Sequence, residues 1–312
     1  PFRFVTAGSA EAQALPPAPL PLMPHLVAPD DSGGLTVAKS DTTPILTWLD
    51  AAYPQRRLRP ADPALRFLDL LIEDYGDEWL AKCMFHYRWS NPEDARRAGA
   101  YLPYSMNTQM SAKEGAQAAA HFTERQISRL GVVGSNAVTA PVIEASWRRF
   151  LELLEAHLQA TPFLLGARPA AGDFGCYGQM TQLAITDPSS SAVTFDISPR
   201  AYAWTEKVED LSGLDVDEAG WLDLSDPPET LKALLTEIGR VYAPFLLANA
   251  DATDQGSDRV RCEIDGQPWE QQPFVYQAKC LRWLREAYSA LSEAERSHVD
   301  AALAGTGCEV LF

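Results

Sequence analysis

The stretch that most restricts what this chain can fold into is residues 162–180, PFLLGARPAAGDFGCYGQM. An apolar run closes at Gly166. Asp173 then stands three residues after Ala170, the spacing at which an N3 carboxylate reaches back to the backbone N–H of a helix cap. Helical periodicity continues to about residue 185, so the stretch reads as a loop feeding a buried helix. A serine or threonine at 170 would complete the reciprocal cap. Ala170 cannot, and the missing half is worth about 1 kcal/mol. The motif is structural and carries no catalytic group. Cys176 falls on its apolar stripe and reads as a core thiol, as Cys83 does elsewhere.

A buried helix needs a sizeable core around it. The chain has 312 residues, 46% of them hydrophobic and 10% aromatic, enough for a packed core and for two domains. Lys and Arg total 26 against 42 Asp and Glu, a formal net charge of −16. That balance repels polyphosphates and acidic lipid, which excludes nucleic acid as a partner. No apolar run reaches the roughly 18–20 residues that span a bilayer, and no secretory leader pattern is seen, so no membrane partner is expected and the cytoplasm is the default compartment. Cys83, Cys176, Cys262, Cys280 and Cys308 are odd in number and widely spaced, as suits a reducing compartment. The histidines show no metal-like spacing, and no metal is predicted.

Along the chain, residues 1–58 read as a small α/β lobe. Phe2–Val5 (FRFV) is a short apolar run with strand character, and AGSAEAQALPPAPLP is a Pro/Ala-rich loop. HLVAP and LTVAK flank DDSGG, a hairpin with a glycine-bearing turn. Asp41-Thr42-Thr43-Pro44 opens the helix ILTWLDAAY, with Asp41 as N-cap and Pro44 in the first turn. From Asp62 the signals turn helical. Residues 62–221 form an all-helical domain, with stops at Gly166, at the 186–191 run TDPSSS and at Pro227-Pro228. In the helix 62–89, Leu68, Leu71, Ile72, Tyr75, Trp79 and Lys82/Cys83 recur at three- and four-residue spacing. Residues 209–225 and 250–258 read as exposed loops. Residues 222–312 are an extension in which RVRCEI and QPWEQQ flank Asp265-Gly266, a two-residue hairpin signal, with Pro268 confining the second arm to an edge.

This order resembles the glutathione S-transferase superfamily, and three stretches carry the likeness: LMPHL at 22–26, Asp41-Thr42 at a helix start, and PFLLGARPAAGDFGCYGQM. The resemblance spans roughly residues 1–210 and implies an α/β thioredoxin-like N-terminal domain followed by an all-α C-terminal domain with a helical extension. It implies glutathione as co-substrate. Pro24 would be a cis-proline leaving the backbone of Met23 to pair with the cysteinyl part. Thr42 and the helix N-terminus would take the γ-glutamyl carboxylate, and Asp41 its ammonium group. On residue chemistry alone, Asp41 also reads as a plain helix cap and Pro24 as an ordinary trans proline. The family has a first strand and helix before the FRFV strand. The resemblance therefore implies about 20–25 residues upstream of Pro1, carrying the unknown residue that activates the thiol.

The activity implied is attack of the glutathione thiolate on a small hydrophobic electrophile held by the helical domain. A non-catalytic binding or assembly protein of the same fold is the rival, and a glutathione-dependent reductase or lyase a third reading. Tyr75, Trp79, His86 and Arg88 on the helix 62–89 are the substrate-pocket candidates, with burial and macrodipole pairing as the alternative for the FHYRW cluster. Glu73-Asp74 and Asp77-Glu78 read as a solvated or Arg-paired face rather than an acid/base pair. The resemblance also implies a homodimer, since family members are commonly dimers, with the helix 62–89 available as part of its interface.

Overall fold

The computed structural model describes residues 3–6, 9–20 and 23–312. Phe2 of the FRFV run and Leu22 of the LMPHL run lie outside the described residues. The chain divides into two compact units, residues 1–58 with 100–119 and residues 59–99 with 120–312. Its secondary structure is mostly helical, with two small antiparallel hairpins.

In the first unit the order is α1 (Ala10–Ala14), β1 (His25–Pro29), β2 (Leu35–Ser40) and α2 (Thr42–Ala52). α1 corrects the expectation of an unbroken Pro/Ala loop: the Ser9 hydroxyl accepts the Ala12 N–H at 3.1 Å and nucleates one helical turn. Residues 3–6 are not a strand, and Phe4 is 90% exposed. An apolar run becomes a strand only where another strand offers it backbone partners, and here β1 and β2 pair with each other alone. Their register runs from His25↔Ser40 to Pro29↔Leu35, with a slip at Ala28/Pro29. Asp30 builds the turn, its carboxylate accepting from the Ser32 and Gly34 N–H groups and from the Ser32 and Thr36 hydroxyls. The Ser32 hydroxyl above all, with the other donors, pulls that carboxyl down to about 2.

The second unit is built on α3 (Pro63–Tyr75) and α4 (Ala81–Ser90), which a π-helical turn at Gly76–Leu80 joins into one continuous rod matching the expected helix 62–89. α5 (Pro92–Met106) and α6 (Ala112–Ile127), whose stretch 100–119 belongs to the first unit, follow in the chain, then α7 (Leu130–Val133), α8 (Ala140–Ala160) and α9 (Ala171–Met180). Next come α10 (Pro188–Ile197), α11 (Pro199–Val208), α12 (Glu229–Glu237) and α13 (Ala243–Asp254). The antiparallel pair β3 (Val260–Ile264) and β4 (Gln267–Gln271) precedes α14 (Val275–Ser289) and α15 (Glu293–Leu303). α10 starts inside the expected stop TDPSSS, because Pro188 sits in the first helical turn, where no N–H is needed. Residues 250–254, expected as loop, are the last turn of α13.

α9 is the helix predicted from PFLLGARPAAGDFGCYGQM, and it packs on α3. Asp173 is fully buried and accepts the Ala170 N–H at 2.8 Å, the surviving half of the cap; its other oxygen takes the Leu164 N–H at 2.9 Å. Gly76 lets the two backbones meet, since a Cβ there would lie 2.6 Å from the Cys176 nitrogen. Gly166 closes the preceding loop at φ 132°, where a Cβ would strike the Gly220 carbonyl at 2.2 Å. Residues 222–312 share one core with the earlier helices: Tyr242, Phe245, Trp269, Leu281 and Val299 pack in the cluster that holds Leu68, Trp79 and Trp147.

Candidate functional site

The hairpin register brings Met23-Pro24 and Asp41-Thr42 together. His25 pairs with Ser40, so the residues just outside that pair are neighbours, and the Asp41 N–H donates to the Pro24 carbonyl at 3.2 Å. The Met23–Pro24 peptide bond is cis, and the Met23 side chain is 80% exposed. Thr42 is the first residue of α2, so the junction lies at the N-terminus of that helix. Asp41 corrects one expectation. Its side chain makes no capping hydrogen bond, and its φ of 77° and ψ of 141° differ from the extended backbone of an N-cap. A non-glycine residue held at positive φ costs of order 1–3 kcal/mol, and such residues concentrate at ligand clamps. The junction therefore offers a carboxylate, a hydroxyl and a helix N-terminus at one end of a two-stranded sheet.

The substrate-pocket candidates lie in the second unit, and all four are interior. The Trp79 indole is fully buried; it donates to the Ser146 hydroxyl at 2.7 Å and lies among the rings of Tyr242, Phe245 and Trp269. Tyr75 packs on Phe150 and Tyr242. Arg88 donates through Nε to both oxygens of Asp187, at 3.0 and 2.9 Å, on the loop before α10. His86 bridges Ser135 (Nδ1 to Oγ, 2.8 Å) and Glu144 (Nε2 to Oε1, 3.2 Å), and burial lowers its pKa. A carboxylate only accepts, so Nε2 carries the proton and Nδ1 accepts from the serine. Ser135–His86–Glu144 has the composition of a nucleophile relay. However, its hydroxyl is only 5% exposed while its carboxylate faces solvent, the reverse of what attack on a substrate requires. It ties α4 to α8 instead.

The reading of Glu73, Asp74 and Glu78 as a solvated or Arg-paired face holds for Glu73, which is buried and paired with Arg59 at 2.6 Å, and is corrected for Asp74 and Glu78. Asp74 accepts from the Tyr242 hydroxyl at 2.6 Å, and Glu78 from the Gln277 amide at 2.7 Å. Burial raises Asp74 to about 7. Both partners come from residues 222–312, which the period of α3 alone does not reveal. Cys83 and Cys176 are buried, and burial raises both thiols, leaving them protonated and inert.

Sequence reasoning missed Lys82 as a polar centre, although its place on the apolar stripe beside Cys83 was the available signal. It is 1% exposed and donates to the Val133 carbonyl at 3.0 Å and to the Gln271 and Gln277 side-chain oxygens at 3.3 Å each. Its ammonium lies 4.1 Å from the centre of the Phe245 ring. Burial brings its pKa down to about 7, opposed by Glu78. All three donors are used, so the group joins α4 to α7, β4 and α14. A nearby cleft of ≈ 240 Å³, lined by Ser128, Val132, Asn136, Arg259, Glu270 and Gln272, is smaller than the roughly 300 Å³ at which ligand pockets begin. Among the described residues, no group of three or more His, Cys, Asp or Glu side chains is placed to hold a metal ion.

No family model, no characterised protein and no solved structure matches the chain.

Proposed function

We propose that the chain is a glutathione S-transferase-like enzyme in which residues 1–58 act as a thioredoxin-like domain that binds glutathione at Met23, Pro24, Asp41 and Thr42. One observation carries this reading: two motifs 17 residues apart in sequence meet at a single backbone hydrogen bond, Asp41 N–H to Pro24 carbonyl at 3.2 Å, beside the first residue of α2. In the proposed complex the γ-glutamyl carboxylate lies on the N-terminus of α2 with the Thr42 hydroxyl, where the helix dipole favours an anion. The Asp41 carboxylate meets the adjacent ammonium, and the Met23 backbone pairs with the cysteinyl residue. The thiolate so positioned attacks a small hydrophobic electrophile, forming a carbon–sulfur bond as the electrophile's leaving group or electron pair takes the negative charge. No activating residue is assigned. The proposed compartment is the cytoplasm, in keeping with an odd number of cysteines widely spaced in the sequence. Among the described residues, no helix is long and apolar enough to cross a membrane.

Calorimetric titration of glutathione into the chain tests the binding half. Millimolar or tighter binding is expected, weakened about tenfold in Thr42→Val, by roughly one hydrogen bond to a charged group. No heat at any concentration, and a thermal midpoint unmoved by millimolar glutathione, would remove the reading. A second reading, a non-catalytic glutathione-binding protein, is favoured by the interior placement of Tyr75, Trp79, His86 and Arg88, which are 2%, 0%, 6% and 6% exposed. Turnover of a chloronitrobenzene with glutathione separates the two.

A further inference from the structure

The cleft of ≈ 240 Å³ lies between residues 128–138, which run from the end of α6 through α7 to the loop before α8, and the outer face of β3–β4. Trp269 and Gln271 are buried, so by strand alternation Glu270 and Gln272 stand on the opposite face of β4, where they line the cleft. The two walls are fixed to each other. The Asn136 side chain donates to the Glu270 carbonyl at 2.8 Å and accepts the Val138 N–H at 2.9 Å. Lys82 joins the Val133 carbonyl to the Gln271 side chain. Gly134, at φ 102°, lies so near Gln271 that a Cβ would be 2.3 Å from its side-chain oxygen. A ligand entering between walls already held in place has little to order.

Arg259 is the cation among the lining residues, and its side chain is 45% exposed. Among the described residues its guanidinium makes no hydrogen bond, and its ion-pair contact with Glu270 is long, at 3.8 Å. Arg261 holds Glu270 instead, at 2.9 Å, and this hydrogen bond keeps the carboxyl below its usual range. Two guanidiniums therefore share one carboxylate, and Arg259 keeps its fork of donors for a second. The other wall is apolar. Val138 is 47% exposed, Val132 stands beside it, and a Cβ on Gly131 would meet nothing within 4 Å.

Size sets the ligand. At about 30 Å³ for each water-sized group, the cleft admits about eight non-hydrogen atoms, too few for a drug-sized molecule. We propose that this cleft binds a small aliphatic monocarboxylate, its carboxylate taken by Arg259 and its hydrocarbon tail by Val132 and Val138. An inorganic anion would leave the valine wall wet, and an amine would have to displace Arg261 from Glu270. The net charge of −16 sets a mean field unfavourable to any anion, so millimolar affinity is expected. All the lining residues belong to the second unit, so the site is separate from the one proposed for glutathione.

Titration of isocaproate into the full chain, followed by amide NMR spectra, tests the proposal. Saturable shifts are expected at Gly131, Asn136 and Glu270, with a millimolar dissociation constant. Arg259→Met should weaken binding about tenfold, and isocaproamide, the uncharged isostere, should bind the native chain about tenfold more weakly than isocaproate. Val138→Trp, which fills the cleft and leaves Arg259 in place, should abolish the shifts. Both substitutions are at exposed side chains, and an unchanged thermal midpoint shows that the fold is intact. The absence of saturable shifts at these amides overturns the proposal. So does equal binding of the amide, binding that Arg259→Met leaves unaffected, or shifts centred on residues 23–42 instead.

Discussion

The two β-hairpins begin from the same kind of local signal and end in opposite situations. β1–β2 and β3–β4 each pair antiparallel around a turn containing a positive-φ glycine, Gly33 at 85° and Gly266 at 70°. In the first, only Ala28 and Ser40 are buried along the strands, and the turn is closed by its own Asp30 carboxylate. In the second, Val260, Ile264, Trp269 and Gln271 are all buried, and the turn is fixed from outside. Arg149 and Arg240 reach Asp265 at 3.0 and 3.2 Å while also meeting the buried Glu237. A hairpin held by local hydrogen bonds keeps its open end available for a ligand, as proposed at Pro24 and Asp41. A hairpin that gives its side chains to a core becomes part of that core.

The sharpest way to break this contrast is Trp269→Ala. The indole lies 5.3 Å from Trp79 and 6.0 Å from Phe245, centre to centre, so its loss should cost ~3–5 kcal/mol in urea unfolding of the full chain. A cost under about 1 kcal/mol would mean that β3–β4 gives its side chains to no core. Next is Arg149→Ala, which strips the bidentate partner from a Glu237 that is 3% exposed. A loss of about 3 kcal/mol is expected by the same measurement, moderated by Arg240 nearby.

Lys82 sharpens the comparison through pH, because its ammonium binds the Gln271 side chain at the end of β4. Its pKa falls from 10.5 to about 7 on folding, so between those values the unfolded chain binds more protons. Stability should therefore rise as pH climbs from 7 toward 10.5, and Lys82→Met should flatten that rise; an identical slope in the variant would sink the assignment. The smallest effect belongs to Asp30→Asn. Asp30 is held at about 2 against a free value of 3.8, so its contribution is in place above 3.8 and is lost as pH falls through 2. The substitution should speed amide exchange at Gly34 while leaving amides of α3 unchanged. Faster exchange in both would show that the first hairpin is coupled to the whole.

Part of this molecule could be read before folding was known. The rod from Pro63 to Ser90, the buried helix after Ala170 and both hairpins all follow from signals within a few residues. Caps, turn glycines and helical period act over one or two turns, which is why they are visible in a linear string. The Ser292–Glu295 capping box that starts α15 is equally local, a signal that the sequence reading passed over, with the Ser292 N–H donating to Glu295 at 2.7 Å. The role of the FHYRW cluster was not open to such reading, since His86 and Arg88 are defined by Ser135, Glu144 and Asp187, between 49 and 99 residues away.

The sequence by itself determined the balance of helix and hairpin and the start of the buried helix, because each rests on backbone geometry set by near neighbours. Only the tertiary structure decided which polar groups are surface and which are core. Asp74, Glu78 and Lys82 stand at helical spacing on one rod, and nothing in that spacing says whether water or protein lies above them. Tyr242, Gln271 and Gln277 arrive from the far end of the chain and exclude the water. Desolvation then makes an ordinary lysine titrate near neutrality and turns a row of charges into the joint between two parts of one core.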